Sequence, residues 1–118
     1  MANEITISGA LSFSKAGLSA AKSFNFNVTM SGSNYEEGSF SVPTSTTAIP
    51  LGSVATNGWL LLINKDSTNY VEYYTATAGT AAVKLLAGEA ALFRVDGAAP
   101  AMKANTAQAE VDYLLIEA

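Results

Sequence analysis

The chain contains no cysteine and no histidine. Without cysteine there is neither a disulfide framework nor thiol chemistry. Without histidine the commonest general base and the commonest metal ligand are missing, so zinc and copper sites are nearly excluded. A serine hydrolase would need a lysine or an aspartate as its base, and no matching pattern is present. We therefore predict a protein that is not an enzyme, with no catalytic residues, metal or other cofactor.

Charge is also scarce. Charged side chains make up 14% of the 118 residues, against roughly 25% in an ordinary soluble domain. The net charge is −4 and the six lysine and arginine residues are scattered singly, so no basic patch is available for nucleic acid. So few charges predict a surface that is partly covered by other chains, as in a homo-oligomer or a larger assembly.

Long apolar runs are missing as well. No stretch approaches the roughly 18 apolar residues of a membrane span, so we expect no membrane partner. The first residues lack the basic region and apolar core of a signal peptide. We expect a protein of the cytoplasm, or of a particle assembled there. The length predicts one domain over residues 1–118.

Alternation of apolar and polar residues is frequent and predicts antiparallel strands. In residues 5–14 the apolar positions share one parity, with Gly9 as a possible bulge or bend. Phe24, Phe26, Val28 and Met30 face one way in the next strand. Residues 15–23, with Gly17 and two serines, are interpreted as a connection.

Residues 59–74 predict two strands joined by a polar turn. Residues 59–63 are a continuous apolar run, residues 64–69 are turn formers, and residues 70–74 are rich in aromatic and β-branched types. Leu61 and Ile63 are expected in the core. Further strands are predicted at 38–42, 46–51, 81–86, 90–95, 101–104 and 110–117.

The pattern amounts to eight to ten short strands with a turn signal every 8 to 12 residues. That spacing is typical of antiparallel sandwiches and barrels. The predicted fold class is all-β, an antiparallel β-sandwich or jelly roll of about eight strands.

Two groups of oxygen-bearing side chains are candidate sites. A glycosidase needs two carboxylates, and Glu36, Glu37, Glu89 and Glu110 are formally available. Solvated or interface acids are the favoured interpretation. A calcium site needs several oxygen ligands at close spacing, and Asn64, Asp66, Ser67 and Asn69 offer oxygens with a single carboxylate. Turn chemistry is the favoured interpretation there.

The aromatic residues have two interpretations. They would line a sugar-binding groove, or they would form the core and contacts between subunits. Tyr73 and Tyr74 are adjacent, so in a strand they face opposite sides and one of them is expected at a surface. The set considered is Trp59, Tyr70, Tyr73, Tyr74 and Phe93.

Eight residues are interface candidates. The first strand would pair with a neighbouring subunit or another protein of the same assembly by strand addition. Arg94, the only arginine, lies in an apolar run; if it is partly buried, it needs a carboxylate, which Glu89 or a neighbouring subunit would supply. The full set is Ile5, Ile7, Leu11, Phe13, Tyr35, Tyr73, Tyr74 and Arg94.

Three segments resemble small structural proteins of tailed bacteriophages. They are GWLLLINKDSTNYVE at 58–72, LLAGEAALFR at 85–94 and MKANTAQAEVDYLLIE at 102–117. The resemblance covers residues 58–117, about half of the chain. It implies a β-sandwich or jelly-roll subunit of a virion, and it carries no catalytic residues.

The first hypothesis from this resemblance is a capsid decoration, or cement, protein. It would be a homotrimer on the outside of a phage head, assembled in the host cytoplasm and bound to the major capsid protein. A tail or head-to-tail connector component is the structural alternative. A carbohydrate-binding module is the alternative of another class, for which exposed coplanar aromatics would count, and against which burial of Trp59 would count.

Overall fold

The computed structural model describes residues 3–96 and 99–118, which form ten β-strands and no helix. The chain divides into two compact units, Met1–Ser31 and Gly32–Ala118. The strands are β1 (Ile5–Lys15), β2 (Leu18–Val28), β3 (Tyr35–Val42), β4 (Thr47–Ala48), β5 (Asn57–Asn64), β6 (Val71–Tyr74), β7 (Ala81–Leu85), β8 (Ala90–Arg94), β9 (Ala101–Ala104) and β10 (Ala109–Glu117). The predicted all-β class is confirmed, and the sandwich itself lies within the second unit.

The first unit is a long antiparallel hairpin of β1 and β2, called here the N-terminal hairpin. Its turn consists of Ala16 and Gly17 alone, with φ of 51° and 81°. Two successive left-handed residues are the mark of a type I′ turn, whose twist suits a tight hairpin. The predicted connection over residues 15–23 is therefore wrong, because Gly17 permits a two-residue turn and the alternation resumes at Leu18.

Gly9 is not a bulge, contrary to the sequence prediction. The pairing of β1 with β2 passes through Gly9 without a shift, and Phe24 lies directly opposite. A Cβ added at Gly9 would lie 2.7 Å from Cζ of Phe24. The missing side chain therefore makes room for the phenyl ring, which covers the glycine from the facing strand.

The turn of the hairpin offers a first prediction. Ala16 has a left-handed backbone, which costs a residue with a Cβ about 1 kcal/mol. Asparagine tolerates this conformation, and Asn-Gly is the preferred type I′ pair. We expect Ala16→Asn to stabilise the hairpin by about 0.5–1 kcal/mol and to slow amide hydrogen exchange in β1 and β2. Gly17→Ala is the matched control and should speed exchange; equal exchange in all three proteins would contradict this turn assignment.

The second unit has the strand order of a jelly roll. Its strands pair in nested fashion, β3 with β10, β4 with β9, β5 with β8 and β6 with β7. Two further pairings, β10 with β5 and β9 with β6, complete two four-stranded antiparallel sheets, β3-β10-β5-β8 and β4-β9-β6-β7. A long hairpin rolled up on itself gives this order, which is that of double-sheet jelly rolls.

The core is formed by the inward side chains of both sheets. In β5 the residues alternate strictly, with Leu60 and Leu62 fully buried and Leu61 and Ile63 half-buried on the other side. The expectation that Leu61 and Ile63 belong to the core is therefore wrong by one position. Leu60 and Leu62 belong to one core with buried residues of the second sheet, among them Val71, Leu85 and Met102.

The stretch 59–74 contains both predicted strands, but they do not form a hairpin. Strand β5 pairs with β10 and β8, whereas β6 pairs with β7 and β9 in the other sheet. The polar segment between them crosses from one sheet to the other. Asn64 fixes this crossing: its side-chain amide donates to the carbonyl oxygens of Asn69, Leu85 and Leu86 at 3.0–3.2 Å.

Candidate interaction surfaces

The first four interface candidates share one face of the N-terminal hairpin. Ile5 and Ile7 are buried, whereas the side chains of Leu11 and Phe13 are 78% and 55% exposed. Because residues directly opposite in an antiparallel pair point to the same side, β2 adds its own apolar residues to this face. They are Leu18, Phe24, Phe26 and Val28.

The hairpin is thus strongly two-sided, and three residues of its apolar face were not predicted as contacts. Leu18, Phe24 and Phe26 are exposed large hydrophobic residues, and the two phenyl rings lie 6.1 Å apart. The opposite face carries only alanine, serine, threonine and asparagine. The alternation in residues 24–28 gave the signal for the phenylalanines, while Leu18 was hidden by the expectation of a connection.

Tyr35 and Arg94 lie at the two ends of one row of side chains across the first sheet. In the pairing register Tyr35 is opposite Ile116, Ile116 is opposite Trp59, and Trp59 is opposite Arg94. The row belongs to the side of the β3-β10-β5-β8 sheet that faces away from the core. That side is called here the outer face.

The outer face is largely apolar. Its second row runs from Glu37 through Leu114 and Leu61 to Leu92. Tyr35 is 57% exposed and Leu92 is also exposed, while the central side chains are half-buried. Apolar residues of the outer face are Tyr35, Trp59, Leu61, Ile63, Leu92, Leu114 and Ile116.

Tyr73 and Tyr74 face opposite sides of β6, as expected. Tyr73 is 4% exposed and belongs to the core, where its ring meets that of Phe93 edge-on at 4.7 Å. Burial raises its pKa. Tyr74 is half-buried, and its hydroxyl donates to the carboxylate of Glu72 at 3.3 Å. Of the two interface candidates, only Tyr74 has surface to offer a partner.

The aromatic side chains considered for a sugar-binding groove are half-buried or buried. Trp59 is half-buried, and the guanidinium of Arg94 lies 5.4 Å from the centroid of its ring. The ammonium of Lys84 lies 4.1 Å from the centroid of Tyr70. A cation therefore already lies over a face of each ring, in cation–π geometry. This arrangement counts against a sugar-binding groove.

Arg94 finds other partners than the acid that was expected. Besides lying over Trp59, it donates to the main-chain carbonyl of Ala118 at 3.3 Å. The Glu89 carboxylate instead accepts the N–H of Leu86 at 2.8 Å and closes the turn before β8. Arg94 itself is exposed on the outer face.

The oxygen-rich segment after β5 is a turn, as favoured. The Asn64 side-chain oxygen accepts the N–H of Asp66, and the Asp66 carboxylate accepts those of Thr68 and Asn69. These backbone hydrogen bonds, Asn69 first, lower the pKa of Asp66. Within residues 3–96 and 99–118, no group of three or more acidic side chains is placed to hold a metal ion.

The four glutamates considered for glycosidase chemistry are separated by their positions. Glu36 and Glu37 are adjacent in β3 and face opposite sides of the sheet. Glu110 accepts the hydroxyl of Ser41 at 2.7 Å, while Glu89 closes the turn described above. Each of these last two carboxylates thus has a local structural partner.

Glu117, which was not singled out, is a buried acid that joins three segments. It lies at the end of β10, and its carboxylate accepts the N–H groups of Asn34 at 3.1 Å and Ala55 at 2.8 Å. Those hydrogen bonds, Ala55 first, lower its pKa. A Cβ at Gly32 would collide with the same carboxylate. An acid at the end of an apolar strand was the sequence signal, but its partners are distant in sequence.

The lowered pKa of Glu117 gives a second prediction. The carboxylate stabilises the fold above the pKa of the unfolded chain, near pH 4.3, and that stability is lost as pH falls through the lower folded pKa. We expect Glu117→Gln to lower Tm at pH 7 and to flatten the dependence of Tm on pH below about 4.3. Glu110→Gln is the control, with a smaller change in both. Parallel pH curves for wild type and Glu117→Gln would contradict the assignment.

No protein-family model matches the chain, and no curated protein or solved structure is significantly similar to it. The resemblance to phage structural proteins therefore stays a prediction. In the part of the chain that the structure describes, no helix has the length and apolar character needed to cross a membrane.

Proposed function

We propose that the protein is a non-enzymatic structural subunit of a virion, and specifically a capsid decoration protein on the outside of a phage head. The observation that carries the proposal is the N-terminal hairpin, whose apolar face is exposed in the single chain at Leu11, Phe13 and Leu18. Strands of 11 residues with one such face serve to bind another protein surface. The assembly is a homotrimer bound to the major capsid protein.

The fold and the charge of the chain suit this role. Jelly rolls occur in viral capsid proteins, although they also occur in lectins and cupins, so the fold alone does not assign a function. A net charge of −4 disfavours binding to the packaged genome. Several modest contacts from one oligomer would give high avidity for a shell under internal pressure.

A tail or head-to-tail connector component is the runner-up. It would use the same apolar surfaces, because a ring subunit also needs contacts on two sides. The two roles differ in the partner: a decoration protein binds a complete head, whereas a tail component binds other tail proteins.

The test is cosedimentation of the purified protein with empty heads of the phage that encodes it. Decoration predicts saturable binding at a fixed ratio to the capsid protein, and heads that withstand higher temperature when the protein is bound. A variant with Leu11→Asp and Phe13→Asp should lose both effects, while Ser12→Asp on the polar face should retain them. Failure of the wild type to bind heads would overturn the decoration role and favour the tail component.

A further inference from the structure

The N-terminal hairpin is a sheet of two strands, so each strand has one edge that its partner does not cover. Among the described residues, β1 and β2 pair only with each other. Every residue from 8 to 27 is exposed, so the rest of the chain leaves both edges open over this length. Such an edge presents a row of backbone N–H and C=O groups that can pair with another strand.

The turn of the hairpin fixes which residues direct their backbone groups outward. In a hairpin with a two-residue turn, the residues that flank the turn form a hydrogen-bonded pair, and hydrogen-bonded and non-hydrogen-bonded pairs alternate from there. Lys15 and Leu18 flank the turn, and the pairing runs without a shift to Ile5 and Val28. The outward N–H and C=O groups therefore belong to Thr6, Ser8, Ala10, Ser12 and Ser14 in β1, and to Ser19, Ala21, Ser23, Asn25 and Asn27 in β2.

Charge distinguishes the two edges. Charged side chains, lysine above all, are a common means of keeping a strand edge from pairing with another chain. β2 carries Lys22 near its middle, whereas β1 has no charged residue and no proline before Lys15 at its last position. Two β2 edges side by side would bring two lysines close together, which is unfavourable. Two β1 edges would meet without opposed charges along residues 5–14.

Two copies of β1 are complementary when they run antiparallel about a two-fold axis perpendicular to the sheet. With Ala10 at the axis, each of the five outward residues of β1 lies opposite an outward residue of the other copy. Residues directly opposite point to the same side of a sheet, so the two hairpins keep their apolar faces on one side. The result is a four-stranded sheet in the order β2-β1-β1-β2. A hairpin alone is marginal in water, whereas three or more strands with an apolar face reach independent stability.

We propose that β1 of one copy pairs edge to edge with β1 of a second copy of this chain, through the backbone groups of residues 6–14. The contact uses the same surface on both copies and is complete with two of them. Between copies that also belong to the proposed homotrimers, it joins one trimer to another. The inference goes beyond the decoration role and does not rest on it, because the partner is the chain itself.

Proline at an outward position tests the contact with a matched control. Proline lacks the N–H and is tolerated in a strand where that N–H points away from the sheet. Ser12 and Ala21 lie directly opposite each other in the hairpin, but their N–H groups point to different edges. We expect Ser12→Pro to weaken self-association about tenfold or more, measured by sedimentation equilibrium without heads. Ala21→Pro should leave self-association unchanged.

Amide hydrogen exchange of the wild type gives a second measurement, which needs no substitution. The outward amides of β1 should exchange more slowly as the protein concentration rises, because the contact between copies protects them. The outward amides of β2 should exchange rapidly at every concentration, since their edge stays open.

Each other outcome counts against the proposal. Exchange of the β1 amides that does not depend on concentration would overturn it, whatever the mass of the protein in solution. Protection of the β2 amides instead, or equal loss of association in both proline variants, would overturn the choice of edge. Unchanged association of Ser12→Pro would overturn the contact. Because no heads are present, these results stand apart from the cosedimentation test.

Discussion

Replacing Leu62 with aspartate should unfold the protein, whereas the same change at Leu61 should leave it folded. Leu62 is fully buried between the sheets, and a charge there has no partner and no water. Burying an unpaired charge costs several kcal/mol, which is comparable to the roughly 5–15 kcal/mol that stabilise a whole domain. Leu61 lies on the outer face, where its carboxylate replacement would still reach solvent.

The two variants are compared by circular dichroism and thermal melting at the same concentration. Alanine substitutions test the same point more mildly. Leu62→Ala should lower the free energy of unfolding by about 2–5 kcal/mol, and Leu61→Ala should lower it clearly less. A folded Leu62→Asp together with an unfolded Leu61→Asp would mean that the two sides of β5 have been assigned the wrong way round.

The sequence pattern predicted Leu61 and Ile63 in the core, whereas Leu60 and Leu62 are the buried residues. The pattern could not decide which side of β5 faces inward. Residues 59–63 are all apolar, so no polar residue within the run shows which positions face solvent and which face the core. The phase is set outside the run. Gly58 lies inward against the backbone of Ile116 and Ala118, where a Cβ would collide. Asn64 also lies inward, where its side-chain amide donates three hydrogen bonds.

At the crossing between the sheets, the local turn could be predicted from the sequence, but the sheet that the next strand joins could not. The turn formers in residues 64–69 were recognised correctly, and the Asx-type hydrogen bonds of Asp66 confirm them. Turn chemistry does not, however, determine which sheet the next strand joins. That choice depends on the pairing of β6 with β7 and β9, which no short pattern encodes.

The interaction surfaces were predictable as strands and faces, but not as partners. Alternation placed Ile5, Ile7, Leu11 and Phe13 on one side, and the structure confirms that geometry. Their exposure differs sharply between the two ends of β1, because burial is set by what packs nearby and not by the pattern within the strand. Tyr35 and Arg94 lie at the two ends of one row across the sheet, and this placement follows only from the pairing register of four strands.

Deleting residues 1–31 should separate folding from assembly. All eight strands of the jelly roll and every residue of its main core lie within residues 32–118. The Glu117 hydrogen bonds to Asn34 and Ala55 are retained as well. We therefore expect a folded protein with one cooperative melting transition, which no longer self-associates and no longer sediments with heads.

Three measurements on the truncated protein decide the outcome, namely its melting curve, its mass in solution and its binding to heads. Full-length protein with Phe13→Ser and Phe24→Ser is the matched control, because it keeps the hairpin sequence but reduces its apolar face. It should share the loss of assembly. Failure of the truncated chain to fold would make the hairpin part of the folding core. A folded truncation that still forms oligomers would place the contact between copies on residues 32–118 alone.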